Sequence, residues 1–191
     1  MVWSTFWGAH VPISEDTYLR LASEDSDTKW ELVCGKLQSK PAMTFEHNDV
    51  AFNLAVQLAA QLDRRAFRMR HDSGRLRRSC QSYFIPDISV VPMALACGQQ
   101  NTRRLEVYTE PLPLVIEVWS PSTGDYEIET KLREDQERGD LEIWRVHPYD
   151  RTVTSWIREP NGGYRESLHT QGIVHPAALP GVSIDLDTVF D

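Results

Sequence analysis

Cysteine is scarce in this chain, and so is any excess of positive charge. Three cysteines occur, Cys34, Cys80 and Cys97. They are odd in number and far apart, which gives neither a disulfide framework nor a metal-ligand spacing, so reduced thiols in a cytoplasmic setting are expected. Acidic residues outnumber basic ones, 28 to 20, and the formal net charge is −8. Proteins that hold nucleic acid by bulk electrostatics are usually basic, so that class is disfavoured, although one local patch would still serve an enzyme. No run of about 18 apolar residues is present, and no membrane span is expected. The stretch MVWSTFWGAH lacks a basic region followed by an apolar core, so no secretory signal is expected either. Repeats, low-complexity linkers and composition shifts are missing as well. The 191 residues, 41% hydrophobic and 25% charged, are expected to form a single domain, 1–191, around one core.

What is present is sharpest in PLPLVIEVWSPST, from Pro111 to Thr123. Leu114, Val115 and Ile116 open an apolar run bounded by prolines, the pattern of a buried central strand. Glu117 stands inside that run. A lone charge in a buried strand costs several kcal/mol (about 3–5) unless it is paired, neutralised or bound to a metal. Side chains alternate along a strand, so Val115, Glu117 and Trp119 share one face and Leu114, Ile116 and Val118 share the other.

The chain around it reads as a mixture of helices and strands. Ser14 caps a helix with Glu15 and Asp16 in its first turn. Trp30–Val33 and Lys36–Ser39 form a hairpin pattern about Cys34-Gly35. Val50, Leu54, Leu58 and Leu62 recur every four residues within a helix over about Phe45–Asp63, whose first turn carries His47. An arginine-dense tract, Arg64 to Arg78, suggests strands joined at Ser73-Gly74. Tyr83–Val91 is a short buried strand region carrying Asp87 after Pro86. Gly98–Glu110 reads as a polar loop. Gly124–Arg138 has helical composition with Gly139 as its stop. Leu141–Val146, Arg151–Ile157 and Tyr164–Leu168 read as a meander, and Val182–Phe190 as a strand followed by a short helix.

Asp87 and Glu117, on adjacent buried strands, form the central candidate pair. Mg²⁺ takes one or two carboxylates and keeps several waters, so two such acids suit it. The alternative is structural: Asp87 caps a turn and Glu117 pairs with an arginine. Lys131 follows on the next helix and could reach back over the strand end, or it could be solvated and paired with Glu127 or Asp135. Glu31 could supply a third oxygen or simply be exposed on an edge strand. His47 could be a ligand or a capping residue. The arginine tract could contact phosphates or balance nearby acids.

The ordered set WELVCGKL, Pro41, His47 opening a helix, IPDISVV, LVIEVWSPST, Lys131, LEIWRVHP, GGY and LPGVSIDLDTVF resembles the Uma2 family. These proposed endonucleases, formerly a domain of unknown function, lie within the PD-(D/E)xK nuclease superfamily. The resemblance runs from about Ile13 to Phe190. It implies an α/β (α+β) fold with a restriction-endonuclease-like core, a twisted mixed sheet flanked by helices, and extra N-terminal and C-terminal β-hairpins. It places the family's PD step on Pro86-Asp87, its buried glutamate on Glu117, its hairpin glutamate on Glu31, its lysine on Lys131 and its helix-start histidine on His47. The superfamily's usual lysine position, two after the glutamate, is Trp119 here. Three departures stand out: Cys34-Gly35 where Asp-Gly is common, Glu127 where Asp is common, and Asp135 where an aromatic usually follows the lysine. The last puts a new charge one turn from Lys131 and could neutralise it.

The resemblance implies a metal-dependent endonuclease acting on nucleic acid, DNA before RNA. Asp87 and Glu117 would hold Mg²⁺, or Mn²⁺ in its place. Glu31, His47 and Lys131 would complete the catalytic set. A homodimer is expected because cutting two strands needs two sites, and Trp3 and Trp7 are candidate interface residues. Two rival readings stand beside it. One is a catalytically inactive nuclease-fold binding or interaction module. The other is a hydrolase using Asp87 and Glu117 as an acid–base pair, whose activity would survive EDTA.

Overall fold

The computed structural model describes residues 12–78, 81–122 and 124–191, with residues 124–128 described by their backbone. Helix α1 (Glu15–Glu24) starts where Ser14 Oγ accepts the Thr17 N–H at 3.2 Å. Strands β1 (Trp30–Val33) and β2 (Lys36–Ser39) form the expected hairpin. Its turn residues Cys34 and Gly35 both take positive φ, 45° and 78°, the twist a two-residue hairpin needs. A Cβ on Gly35 would lie 2.5 Å from Pro12 Cβ, so a side chain does not fit there. Helix α2 (Phe45–Gln61) is capped by Thr44 Oγ1, which accepts the His47 N–H at 3.3 Å.

Strands β3 (Phe67–His71), β4 (Arg75–Arg78), β5 (Ser82–Phe84) and β6 (Ile88–Pro92) follow, then the short helix α3 (Met93–Gln99) and β7 (Val107–Tyr108). Strand β8 (Leu114–Val118) leads into helix α4 (Gly124–Arg138). Gly139, at φ 85°, ends α4 by donating to the Asp135 and Gln136 carbonyls. The chain closes with β9 (Glu142–His147), β10 (Thr152–Arg158), β11 (Tyr164–His169), β12 (Ile173–Val174), β13 (Ile184–Asp185) and α5 (Leu186–Val189).

The strands form a six-stranded sheet in the order β11-β10-β9-β8-β6-β3 and a five-stranded sheet in the order β2-β1-β5-β4-β7; β12 and β13 pair by themselves. In the larger sheet β8 and β9 run parallel while β6 and β8 run antiparallel, so the sheet is mixed. Alternation along β8 decides what each face meets. Leu114, Ile116 and Val118 pack with Val50, Leu54 and Leu58 of α2. Val115 faces the other way, against Leu76 of β4 and Tyr108 of β7. Each such fully buried aliphatic side chain contributes roughly 1.5–3 kcal/mol.

Four expectations need correction or detail. The strands flanking Ser73-Gly74 exist, but β3 belongs to the larger sheet and β4 to the smaller. Tyr83–Val91 is two strands: Pro86 cannot donate to a ladder, and the chain changes sheets there. The Gly98–Glu110 segment contains the end of α3 and the short β7. Strand β1 is not an edge, because β2 and β5 flank it, so Glu31 is buried rather than exposed. Trp3, Trp7, Cys80 and the side chain of Glu127 lie outside the described residues.

Candidate active site

Five predicted residues come from five elements or their junctions, and they meet where the two sheets face each other. The register pairs Ile88 of β6 with Ile116 of β8, so the next step sets Asp87 opposite Glu117. Val118 N–H donates to Asp87 Oδ2 at 2.7 Å, which fixes that carboxylate against β8. His47 Nε2 lies 3.1 Å from the same oxygen. On the far side of Glu117, Lys131 Nζ stands 3.9 Å from Glu117 Oε1 and 3.6 Å from Glu31 Oε1. Glu31 Oε1 also accepts the Ile85 N–H at 2.7 Å, which ties β1 to the turn before Asp87. Lys131 is therefore buried between two acids and 5.2 Å from the centre of the Phe84 ring, not solvated on the helix surface.

Lys40, at the end of β2, was not a sequence candidate and is central here. Its ammonium donates to Asp87 Oδ1 at 2.9 Å, to Asp72 Oδ1 at 2.7 Å and to the Ile85 carbonyl at 2.9 Å. Burial works against its charge, but Asp87, Glu117 and Asp72 outweigh burial and keep it protonated. Burial likewise opposes ionisation of Asp87, yet Lys40 and His47 hold that carboxyl far below the usual range. Glu117 responds in the opposite direction. Burial raises its pKa, Lys131 offsets that in part, and Asp87 raises it further. The pair is split: Asp87 is held ionised and Glu117 is pushed toward its neutral form.

The donors suit a hard cation in number and type. Among the described residues no group of three or more His, Cys, Asp and Glu is arranged to hold a metal. Mg²⁺ does not need three, since one or two carboxylates with waters and substrate oxygens suffice. Glu117 Oε1 is buried and has no hydrogen-bond partner. A carboxylate offers about four acceptor positions, and Lys40, His47 and the Val118 N–H use three on Asp87. A cleft of about 670 Å³ reaches Asp87, Lys40 and His47 from solvent.

A family model described as "Uma2: Putative restriction endonuclease" matches residues 15–187. The chain belongs to the Uma2 family. A similar solved structure is that of an Anabaena variabilis protein described as a putative nuclease belonging to DUF820. It shares 17% identity over 94% of this chain and 98% of that one, with a TM-score of 0.77, and the likeness is one of fold. No curated protein sequence matches.

Against the Uma2 pattern, the departure at Asp135 has a structural answer. Its carboxylate meets Arg78 of β4, with Nη2 and Oδ1 2.5 Å apart and both side chains fully buried. Arg78 also donates to the Lys131 carbonyl at 3.3 Å and lies over the Phe84 ring. The new acid in this Uma2 chain thus has its own guanidinium. Elsewhere in the arginine tract Arg70 meets Glu106 and Arg77 meets Glu15, whereas Arg68 donates to backbone carbonyls and Arg75 to the Tyr18 hydroxyl. Sequence reasoning missed Lys40, Asp72 and Arg78. Only Arg78 carried a signal, as part of that tract.

Proposed function

We propose that this chain is a metal-dependent nuclease that hydrolyses phosphodiester bonds, with DNA as its substrate. Membership of a family described as "Putative restriction endonuclease" supports the reaction class. The observation that carries the reading is Glu117 Oε1: a buried, unbonded carboxylate oxygen beside a buried lysine and across from an ionised aspartate. An unsatisfied buried acceptor costs roughly 1–3 kcal/mol, a cost a bound cation would remove. Asp87 and Glu117 would hold the ion. When bound, it supplies Lewis-acid polarisation of the phosphoryl group and a stronger nucleophile at neutral pH. Lys131 offsets charge that builds on the phosphate in the transition state. Glu31 orients Lys131, and His47 with Lys40 keeps Asp87 ionised and fixed.

The test is cleavage of plasmid and oligonucleotides with Mg²⁺ or Mn²⁺, by wild type, Asp87→Ala and Glu117→Gln. Metal-dependent cleavage lost in both variants is expected. Identical behaviour of wild type and Asp87→Ala on every substrate sinks the reading.

A second reading, a non-catalytic binding module, draws on the Asp87 side, where three donors already engage the carboxylate. Calorimetry separates the two, because a module of that kind has no need to bind Mn²⁺ at these acids. Activity that survives EDTA would instead favour the acid–base hydrolase.

A further inference from the structure

The β8–β9 register continues past the acids into a row of rings. Glu117 pairs with Arg145 and Val118 with Val146, and Trp119 N–H donates to the Val146 carbonyl at 2.7 Å. One step further, the Trp119 and His147 rings stack with centroids 4.5 Å apart and planes 27° from parallel. Tyr149 stands edge-on to Trp119 at 5.7 Å and is 48% exposed. Trp119 and Glu117 are two residues apart on one strand face, about 7 Å along the chain. The row is tied to the helix that carries His47: Tyr149 Oη donates to Glu46 Oε2 at 3.0 Å and lies 3.2 Å from Thr44 Oγ1.

Given the nuclease reading above, on which this rests, we infer that Trp119, His147 and Tyr149 form a stacking platform for one unpaired nucleobase beside the phosphate to be cut. The substrate is therefore single-stranded or locally unpaired nucleic acid. Flat aromatic faces bind bases of any identity by stacking. In an intact duplex both faces of a base are covered by its neighbours, so only an extruded or single-stranded base can use such a platform. Glu46, bonded to Tyr149, and Asp150, 3.4 Å from His147 Nδ1, flank the outer end of the row and repel phosphates. Lys40 and His47, with Asp49 and Asp72, line the cleft that reaches Asp87, and the phosphodiester chain runs there while the base turns toward the rings.

Fluorescence anisotropy tests this with a labelled single strand and its blunt duplex, using Ca²⁺ in place of Mg²⁺. Wild type should bind the single strand more tightly. Tyr149→Ala and Trp119→Leu should each weaken that binding roughly ten-fold and leave duplex binding unchanged. An abasic site in the strand, moved along it one position at a time, should reproduce the loss at one position, and there Tyr149→Ala should cost nothing further. Equal affinity for both forms, or Tyr149→Ala binding like wild type, overturns the platform. Tyr149 lies in an exposed turn, so its variant carries the test if Trp119→Leu does not fold. A failed platform with Asp87-dependent cleavage of duplex plasmid leaves the nuclease reading standing. Absence of both binding and cleavage removes the two together.

Discussion

Asp87 and Glu117 stand one register step beyond the same strand pair, are both buried, and live in opposite circumstances. Asp87 receives Lys40, His47 and a backbone N–H. Glu117 Oε1 has one ammonium at 3.9 Å and accepts no hydrogen bond. The first is a buried ion pair with about one acceptor position left, and its attraction and hydrogen bonds offset the cost of burying charge. The second is an incomplete site. Folding alone would favour removing or satisfying such a group, so the difference marks where a ligand has most to gain.

The largest expected effect breaks that comparison on activity. Asp87→Asn and Glu117→Gln should each lower kcat on plasmid DNA by roughly 10³-fold, the scale of the several kcal/mol that metal-assisted charge stabilisation supplies. Their effects on stability should diverge. Asp87→Asn strands Lys40 against a neutral partner and should cost about 3–5 kcal/mol in urea denaturation, nearer the lower figure because Asp72 still holds the ammonium. Glu117→Gln removes a buried acid whose Oε1 accepts no hydrogen bond and should leave stability unchanged or raise it by about 1 kcal/mol. Equal destabilisation by both would show that the two carboxylates are alike after all.

Next in size is Lys131→Met. It should reduce kcat about 10²-fold while leaving KM nearly constant, as loss of a contact made in the transition state requires. Mn²⁺ calorimetry sharpens the same contrast. The Glu117 carboxyl sits above its ordinary range, chiefly through burial, and an ion needs it deprotonated. Affinity should therefore fall as pH falls through that pKa, by up to about ten-fold per pH unit, with a proton released on binding. Glu117→Gln should abolish the proton release. Asp87, already ionised, contributes none, and release that persists in the Glu117 variant would refute the split.

The parts of this site that were readable in the sequence are those whose signal is local. Glu117 declares itself because a charge interrupts an apolar run, and Asp87 because Pro86 precedes it in another. The cap at Ser14 and the turn at Cys34-Gly35 follow from short-range chemistry. Lys40 was not readable, since Ser39 and Pro41 beside it say nothing. Its role comes from the passage of Ile85–Asp87 beneath the hairpin, across 45 and 47 positions of sequence. Glu31 looked like an edge residue for the same reason: the pairing of Leu32 with Tyr83 that buries it is long-range. Asp135 looked like a threat to Lys131 because four residues separate them, whereas its guanidinium comes from a distant strand.

The smallest effect concerns that pair. Burial pushes the Asp135 carboxyl up to about 8 against the pull of Arg78, while its ordinary value is 3.8. Between those values the folded protein holds a proton that the unfolded chain releases. The folded state then binds more protons than the unfolded one, and stability falls as pH rises across that window. Asparagine has no proton to hold, so Asp135→Asn lacks this slope. The Tm of the variant minus that of wild type should become more positive from pH 5 to pH 8, measured by calorimetry in matched buffers. A difference that stays flat would mean that the 2.5 Å contact with Arg78 keeps Asp135 ionised throughout. Activity should move little in either case, because Arg78, the partner of Asp135, grips Lys131 by its backbone carbonyl rather than by its ammonium.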